Sequence, residues 1–168
     1  MRIRRATRTD DLGAIDASFS TDRVYDVVRT RSGFALRERP VKPRLRKSYD
    51  LAPRARGEVA LVAEADGGTL AGVAVYRLQD WNRRAELVHL YVDRRQRGRG
   101  VGRALLDEVV ARARDAGMRA LWLETQNVNV PAIRFYRRLG FRLAGLDDSL
   151  YDPADVPGEV ALFFTREL

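Results

Sequence analysis

Three glycines at every second position, in Arg97-Gly98-Arg99-Gly100-Val101-Gly102, constrain this chain most, because they separate two segments of different hydrophobic period. The segment before them, 86–92, is rich in branched apolar residues and predicts a strand. The segment after them, 101–116, has apolar residues at helical spacing and predicts an amphipathic helix that ends at Gly117. The chain must therefore pass from a strand into a helix through a loop with little steric hindrance.

A loop of this kind favours an anionic ligand. Glycine lets the backbone approach a ligand closely, and the first N–H groups of a helix have no partners inside it. The helix dipole adds a positive field, so that the loop suits a phosphate group. Five arginines beside the glycines would neutralise phosphate charge: Arg94, Arg95, Arg97, Arg99 and Arg103.

Comparison with known phosphate-binding loops limits the kinds of phosphate site that this loop can form. A P-loop needs Gly-Lys-Ser or Gly-Lys-Thr, which this sequence lacks. A dinucleotide-binding loop places Gly-x-Gly-x-x-Gly directly after its strand and an acidic residue about 20 positions further on. Here five charged or polar residues separate the strand from the glycines, but Glu124 lies near the acidic position. This alternative stays open, as does a glycine turn without a ligand.

The patterns along the rest of the chain predict an α+β protein. A helix is predicted from Asp10 to Phe19 and another over 130–139, with Asn129 as its cap and Gly140 at its end. The basic stretch after Pro40 is predicted to be a loop. Further strands are predicted at 2–7, 24–30, 34–41, 58–65, 70–78, 120–125, 141–146 and 160–165.

Composition excludes several kinds of chemistry. The chain has no cysteine, which removes disulfides, thiolate nucleophiles and cysteine metal sites, and His89 is its one histidine, so no metal site is expected. Charge is uneven: the net charge is +8, with +6 over 36–56 and −5 over 143–168. No stretch approaches the roughly 20 apolar residues of a membrane span. The charged N-terminus lacks the apolar region of a signal peptide, so a cytoplasmic protein is expected.

Two motifs carry a resemblance to a known superfamily. Arg97-x-x-Gly100-x-Gly102 matches the Arg/Gln-x-x-Gly-x-Gly/Ala signature of the GNAT N-acetyltransferases, and 129–141 resembles their second signature, Asn-x-x-Ala-x-x-x-Tyr-x-x-x-Gly-Phe. The resemblance implies a GNAT fold, with a mixed central β-sheet of about six to seven strands flanked by helices. It implies one N-acetyltransferase domain over 1–168, with an acetyl-CoA core at about 58–145 and acceptor-side segments at 1–57 and 143–168.

The resemblance also implies where acetyl-CoA binds, as a co-substrate without a metal. Backbone N–H groups of the glycine loop would hold the pyrophosphate, and main-chain groups of the preceding strand would pair with the pantetheine arm. The cofactor residues implied in this way are Leu90, Tyr91, Val92, Arg97, Gly98, Arg99, Gly100, Val101, Gly102, Asn129 and Tyr136.

Two residues are predicted to be catalytic. Tyr136 falls at the motif tyrosine and would protonate the departing CoA thiolate, although a plain core aromatic is the alternative. Glu86 resembles in position the general base of histone-type relatives, and a solvated carboxylate beside arginines is its alternative. Glu124 is a second candidate base, for which a loop-tethering role is the alternative. His89 is expected to be a packed strand residue.

Within the superfamily, the runs 123–129 and 145–151 resemble streptothricin acetyltransferases. The resemblance implies antibiotic resistance through acetylation of a small cationic amine, with Asp147, Asp148 and Tyr151 as the first candidates for the acceptor site. A protein amine, a polyamine or a basic nucleic-acid-binding role are alternatives, and the last is disfavoured because 36–56 contains one aromatic residue. That stretch could bind the CoA 3′-phosphate or contact a second copy in a homodimer. No membrane partner is expected.

Overall fold

The computed structural model describes residues 1–49 and 55–168. Among them, no helix is long and apolar enough to cross a membrane. The regular elements, in chain order, are β1 (Arg2–Arg5), β2 (Phe19–Thr30), β3 (Gly33–Lys47), β4 (Glu58–Glu64), β5 (Leu70–Gln79), β6 (Arg84–Val92), α1 (Val101–Asp115), β7 (Ala120–Gln126), α2 (Val130–Arg138), β8 (Arg142–Asp147) and β9 (Ala161–Glu167).

The strands form two sheets. Seven strands make a mixed sheet in the order β1-β4-β5-β6-β7-β9-β8, and β2 pairs with β3 in a two-stranded sheet. Antiparallel ladders join β1 to β4, β4 to β5, β5 to β6 and β8 to β9. This confirms the predicted α+β class and the expected number of strands in the central sheet.

Contacts between Cα atoms divide the chain into two compact units. The first contains residues 1–19, 48–122 and 167–168, and the second contains residues 20–47 and 123–166. The expectation of one domain over 1–168 stays a prediction.

In the first unit, α1 packs on β4, β5 and β6. Its apolar stripe is buried because those positions recur at helical spacing and face the sheet. The stripe consists of Val101, Leu105, Leu106, Val109, Val110 and Ala113. A further apolar cluster includes Ile15, Ala60, Val62, Val73 and Val75.

The second unit contains β3, α2, β8 and most of β2, β7 and β9. Ile133 of α2 and Leu162 and Phe164 of β9 are fully buried. Asn129 caps α2, because its Oδ1 accepts a hydrogen bond from the Ala132 N–H at 3.2 Å. The cap fixes where α2 begins after β7, as the sequence predicts.

The predicted helix from Asp10 to Phe19 is wrong. A single 3-10 turn spans Leu12–Ala14, Ile15 is already extended, and Phe19 begins β2. Asp10 accepts two hydrogen bonds from Arg4, at 2.8 Å each, and one from the Thr7 N–H. Its carboxylate therefore fastens β1 to the turn instead of capping a helix.

The predicted loop after Pro40 is also wrong as far as Lys47, because β3 continues through Pro40 and Pro43. Proline cannot donate a hydrogen bond to a ladder, but a two-stranded sheet pairs each strand on one side alone, so that proline is tolerated there. The part of this prediction that falls on 50–54 lies outside the described residues.

Candidate functional site

The glycine loop between β6 and α1 takes the backbone conformation that its sequence predicts. Gly98 and Gly100 have φ of 77° and 82°, in the left-handed region that favours glycine. A Cβ added at either position would meet nothing within 4 Å. Gly100 is the N-cap of α1 and offers no side-chain cap, so the first N–H groups of α1 have no capping side chain. The loop is thus an open cradle of backbone donors.

The arginine that begins the motif holds the loop to the strand before it. Arg97 Nε donates to the Val92 carbonyl at 3.1 Å, and partial burial lowers the pKa of Arg97. The Asp93 carboxylate accepts from the Arg95 N–H at 2.8 Å and caps the short turn between strand and loop. Backbone donors, a helix N-terminus and nearby guanidinium groups fit a pyrophosphate.

The strand that leads into the loop has an irregular register. Val75 pairs with His89 and Tyr76 pairs with Leu87, so that Val88 of β6 is a bulge residue. Beyond the bulge, Leu90, Tyr91 and Val92 pair with Ala74, Val73 and Gly72 of β5. Bulges occur next to active sites because they change the direction of a strand and the groups it presents. The bulge therefore directly precedes the backbone groups predicted to pair with pantetheine.

Gly72 allows α1 and β6 to approach β5 closely. A Cβ there would lie 2.7 Å from the Tyr91 carbonyl oxygen and 3.2 Å from Leu105 Cδ1. Gly72 is not among the site residues predicted from the sequence, because it lies inside a strand without a turn signal. An isolated glycine within a strand is itself the signal that could have identified it.

Aromatic rings stack on Tyr91 from both sides. The centroid of Tyr91 lies 5.8 Å from that of Tyr49 and 5.4 Å from that of His89, and Phe19 stacks on Tyr49 at 5.9 Å. Burial lowers the pKa of His89, so its imidazole is neutral at pH 7. His89 is thus part of a packed stack, as its strand position predicts.

Glu86 lies near the start of β6, opposite Arg77 of β5. Its carboxylate accepts from Arg77 Nε at 2.5 Å and from Gln79 Nε2 at 3.1 Å. The side chain is 13% exposed. Arg77 and Gln79 therefore occupy the Glu86 carboxylate.

In the second unit, Tyr136 of α2 is 7% exposed. Its ring makes edge contacts with Phe135 and Phe141, at centroid distances of 5.3 Å and 5.6 Å. Those contacts hold the ring in place in the way that a general acid needs.

A partly buried polar cluster in the second unit joins β7 to the C-terminal segment. The Tyr151 hydroxyl donates to Glu124 Oε1. Lys47 Nζ lies 2.5 Å from both carboxylate oxygens of Glu159. Burial raises the pKa of Glu124, an effect that Glu159 strengthens and that Tyr151 and Lys47 oppose. Burial and the Glu124 carboxylate raise the pKa of Tyr151, so that its hydroxyl stays protonated.

Asn127 fixes the backbone on both sides of Glu159, and it is not among the site residues predicted from the sequence. Its side chain is buried, with Oδ1 accepting from the Val160 N–H at 2.8 Å and Nδ2 donating to the Tyr25 carbonyl at 2.7 Å. Nδ2 also donates to the Gly158 carbonyl at 3.3 Å. The backbone of both neighbours of Glu159 is therefore fixed. Glu159 is likewise not among the predicted site residues, because no local sequence pattern marks it.

The other predicted acceptor residues are engaged near the surface. Asp147 accepts from the N–H and the hydroxyl of Ser149, which lowers the pKa of Asp147. Asp148 pairs with Arg29 at 2.7 Å. Tyr151 alone of the three candidates contacts a partly buried carboxylate, that of Glu124. In the part of the chain that the structure describes, no group of three or more Asp, Glu or His residues could hold a metal ion.

Comparison with known proteins gives a consistent family. The model of the acetyltransferase (GNAT) family matches residues 24–141. Streptothricin acetyltransferase of Streptomyces lavendulae is 41% identical to the chain, over 96% of this chain and 92% of that protein. This confirms the resemblance that the two motifs carry.

Two solved structures cover nearly the whole chain. The crystal structure of a nourseothricin acetyltransferase is 43% identical, with a TM-score of 0.90 over 99% of this chain and 97% of that one. A protein assigned as streptothricin acetyltransferase from Bacillus anthracis str. Ames, solved with acetyl coenzyme A, is 26% identical, with a TM-score of 0.84 over 99% of both chains. The chain therefore belongs to the acetyltransferase (GNAT) family and is an N-acetyltransferase whose acetyl donor is acetyl-CoA.

Proposed function

We propose that this enzyme acetylates a primary amine of a streptothricin-type antibiotic. The observation that carries the proposal is the extent of the likeness to a streptothricin acetyltransferase, which covers 96% of the chain. The family model stops at residue 141, so this likeness includes the C-terminal segment beyond it. That segment supplies Tyr151 and Glu159 to the partly buried polar cluster. Its net charge of −5 would attract a cationic acceptor.

On this proposal, acetyl-CoA supplies a thioester whose acetyl group is transferred directly to the amine. The N–H groups of Arg97 to Gly102 would hold the pyrophosphate, because the loop is open and has no side-chain cap. Main-chain groups of Leu90 to Val92 would pair with the pantetheine arm, and one N–H there would donate to the thioester oxygen. Asn129 is proposed as a further contact.

The acceptor must lose a proton before it can attack. A primary amine of pKa near 10.4 is deprotonated at pH 7 about once in 2,500 molecules, at a cost of roughly 4.6 kcal/mol. A nearby carboxylate can take that proton, and it does so better when its own pKa is raised toward neutrality. Burial raises the pKa of Glu124. The Glu86 carboxylate, in contrast, is engaged in an ion pair with Arg77. These contacts favour Glu124 over Glu86 as the general base.

Tyr136 is proposed as the general acid that protonates the departing thiolate. The edge contacts with Phe135 and Phe141 hold its ring in one orientation. Positioned proton transfer of this kind contributes roughly a hundredfold to ten-thousandfold to rates.

The test is a direct assay of acetyl transfer. The purified enzyme is mixed with acetyl-CoA and streptothricin, release of free CoA thiol is followed, and the product is identified by mass spectrometry. A panel with a polyamine and a peptide N-terminus runs in parallel. We expect streptothricin to have the highest kcat/KM. An enzyme that binds acetyl-CoA but prefers another amine would refute the proposed acceptor and leave the acetyltransferase activity intact.

A further inference from the structure

Lysine is rare in this chain, and one of its lysines is paired with a carboxylate beneath the surface. Of 31 basic residues, Lys42 and Lys47 are the only lysines and all others are arginine. Lys42 is exposed on β3. Lys47, the last residue of β3, is 21% exposed and its Nζ contacts both oxygens of Glu159, which is 10% exposed. A primary ammonium thus occupies this carboxylate in a protein that uses guanidinium groups almost everywhere else.

The Lys47–Glu159 pair adjoins the proposed general base. Glu124 interacts electrostatically with both Lys47 and Glu159, and the Tyr151 hydroxyl donates to it. Two carboxylates and one ammonium give the three ionisable side chains Lys47, Glu124 and Glu159 a formal charge of −1 when both glutamates are ionised. Removal of charges from water is costly unless they are paired, so this arrangement favours the arrival of one more cation.

The backbone on both sides of Glu159 is held in place by Asn127. Asn127 binds the Gly158 carbonyl and the Val160 N–H, and its own N–H donates to the Val160 carbonyl at 3.0 Å. The lysine is the adaptable partner, because its ammonium is carried on a flexible four-carbon stem. An incoming ammonium could therefore replace that of Lys47 without moving Glu159.

We propose that Lys47 is a specificity-determining residue whose ammonium occupies Glu159 in place of a second ammonium of the acceptor. This inference rests on the proposed function. An acceptor with two amines places one at Glu124, where it reacts, and the other at Glu159, where it displaces Lys47. A monoamine leaves the Lys47–Glu159 pair intact. Lys47 thus lowers the preference of the site for acceptors that carry at least two primary ammonium groups, because such an acceptor must first displace its ammonium.

The experiment compares four variants with the wild type: Lys47→Met, Lys42→Met, Glu159→Gln and the double variant Lys47→Met/Glu159→Gln. KM and kcat are measured with streptothricin and with n-butylamine as the monoamine. Lys42→Met is the matched control, because it removes the same charge from an exposed position of the same strand. Calorimetry measures streptothricin binding in every variant, which needs no turnover.

Loss of the internal competitor is expected to strengthen acceptor binding. An ammonium–carboxylate hydrogen bond of ordinary strength corresponds to roughly a tenfold fall in the streptothricin KM of Lys47→Met. Lys42→Met and the n-butylamine KM are expected to change by less than about twofold, in line with exposed surface charges. Glu159→Gln should raise the streptothricin KM, and adding Lys47→Met to it should have no further effect.

Several results would overturn the proposal. An equal or higher streptothricin KM in folded Lys47→Met would mean that Lys47 only supports the structure. If Lys47→Met does not fold, the proposal is tested by Glu159→Gln. An equal rise in KM for streptothricin and for n-butylamine would then refute a second ammonium site. If the wild type binds acetyl-CoA but acetylates neither amine, the proposed function fails. Streptothricin binding to the wild type and Lys47→Met then still decides the role of Lys47, and equal affinities refute it.

Discussion

Substitution of Gly100 by alanine should separate the stability of this protein from its affinity for acetyl-CoA. Gly100 has φ of 82°, and a Cβ there meets nothing within 4 Å. The free energy of unfolding should therefore fall only by the cost of holding a residue with a Cβ in the left-handed conformation, which is about 1–2 kcal/mol. For a chain of this length, that corresponds to a fall in Tm of about 2–8 °C.

The cost to binding should be larger, because the space around Gly100 is where a phosphate would approach. Loss of one backbone hydrogen bond to a charged phosphate costs about 1.5–3 kcal/mol. The Kd for acetyl-CoA should then rise roughly 10-fold to 100-fold.

Gly117→Ala is the matched control, because Gly117 follows the other end of α1, has φ of 72° and also has open space around it. Thermal unfolding followed by circular dichroism gives Tm, and calorimetry with acetyl-CoA gives Kd. We expect the Tm of the two variants to fall by similar amounts. The affinity for acetyl-CoA should fall only in Gly100→Ala. Equal Kd values for the two variants would refute the assignment of this loop to the pyrophosphate.

Three further predictions concern the proposed chemistry and the packing beneath it. Tyr136→Phe should lower kcat by roughly a hundredfold or more while it keeps the Tm, and Tyr76→Phe, a change at another buried tyrosine, should leave kcat unchanged. Burial raises the pKa of Glu124, so its carboxylate keeps a proton to higher pH than a free glutamate, whose pKa is near 4.3. Only the ionised carboxylate can accept a proton, and kcat/KM should therefore rise with pH through that raised pKa. Glu124→Gln should abolish this acid limb and Glu86→Gln should retain it; the opposite result would make Glu86 the base. Gly72→Ala should lower both Tm and acetyl-CoA affinity, because its Cβ would lie 2.7 Å from the Tyr91 carbonyl oxygen, whereas Gly145→Ala, with nothing within 4 Å, should change neither.

Features that depend on near neighbours in the chain could be predicted from the sequence. The glycines of 97–102, the apolar stripe of α1 and the Asn129 cap act over a few residues, so that their spacing alone indicates a loop and two helices. The two motifs of the GNAT superfamily lie in these segments, and for that reason the family was evident before the fold.

Local patterns failed where a contact with another element of the fold competes for the same residue. Asp10 looks like a helix cap, but Arg4 of β1 binds its carboxylate and the helix does not form. Pro40 and Pro43 look like loop residues, but pairing on one side alone leaves room for them in β3.

The glycine cradle, the two helices and the acetyltransferase family follow from patterns in the sequence. The pairing of Glu86 with Arg77 and the contact of Glu124 with Tyr151 follow from the folded structure and have no local signal. The fold also brings Lys47 to Glu159, which is 112 positions away along the chain. The physical reason is that a backbone cradle depends on conformations chosen locally, whereas burial and pairing of a charge depend on which distant segments exclude water around it.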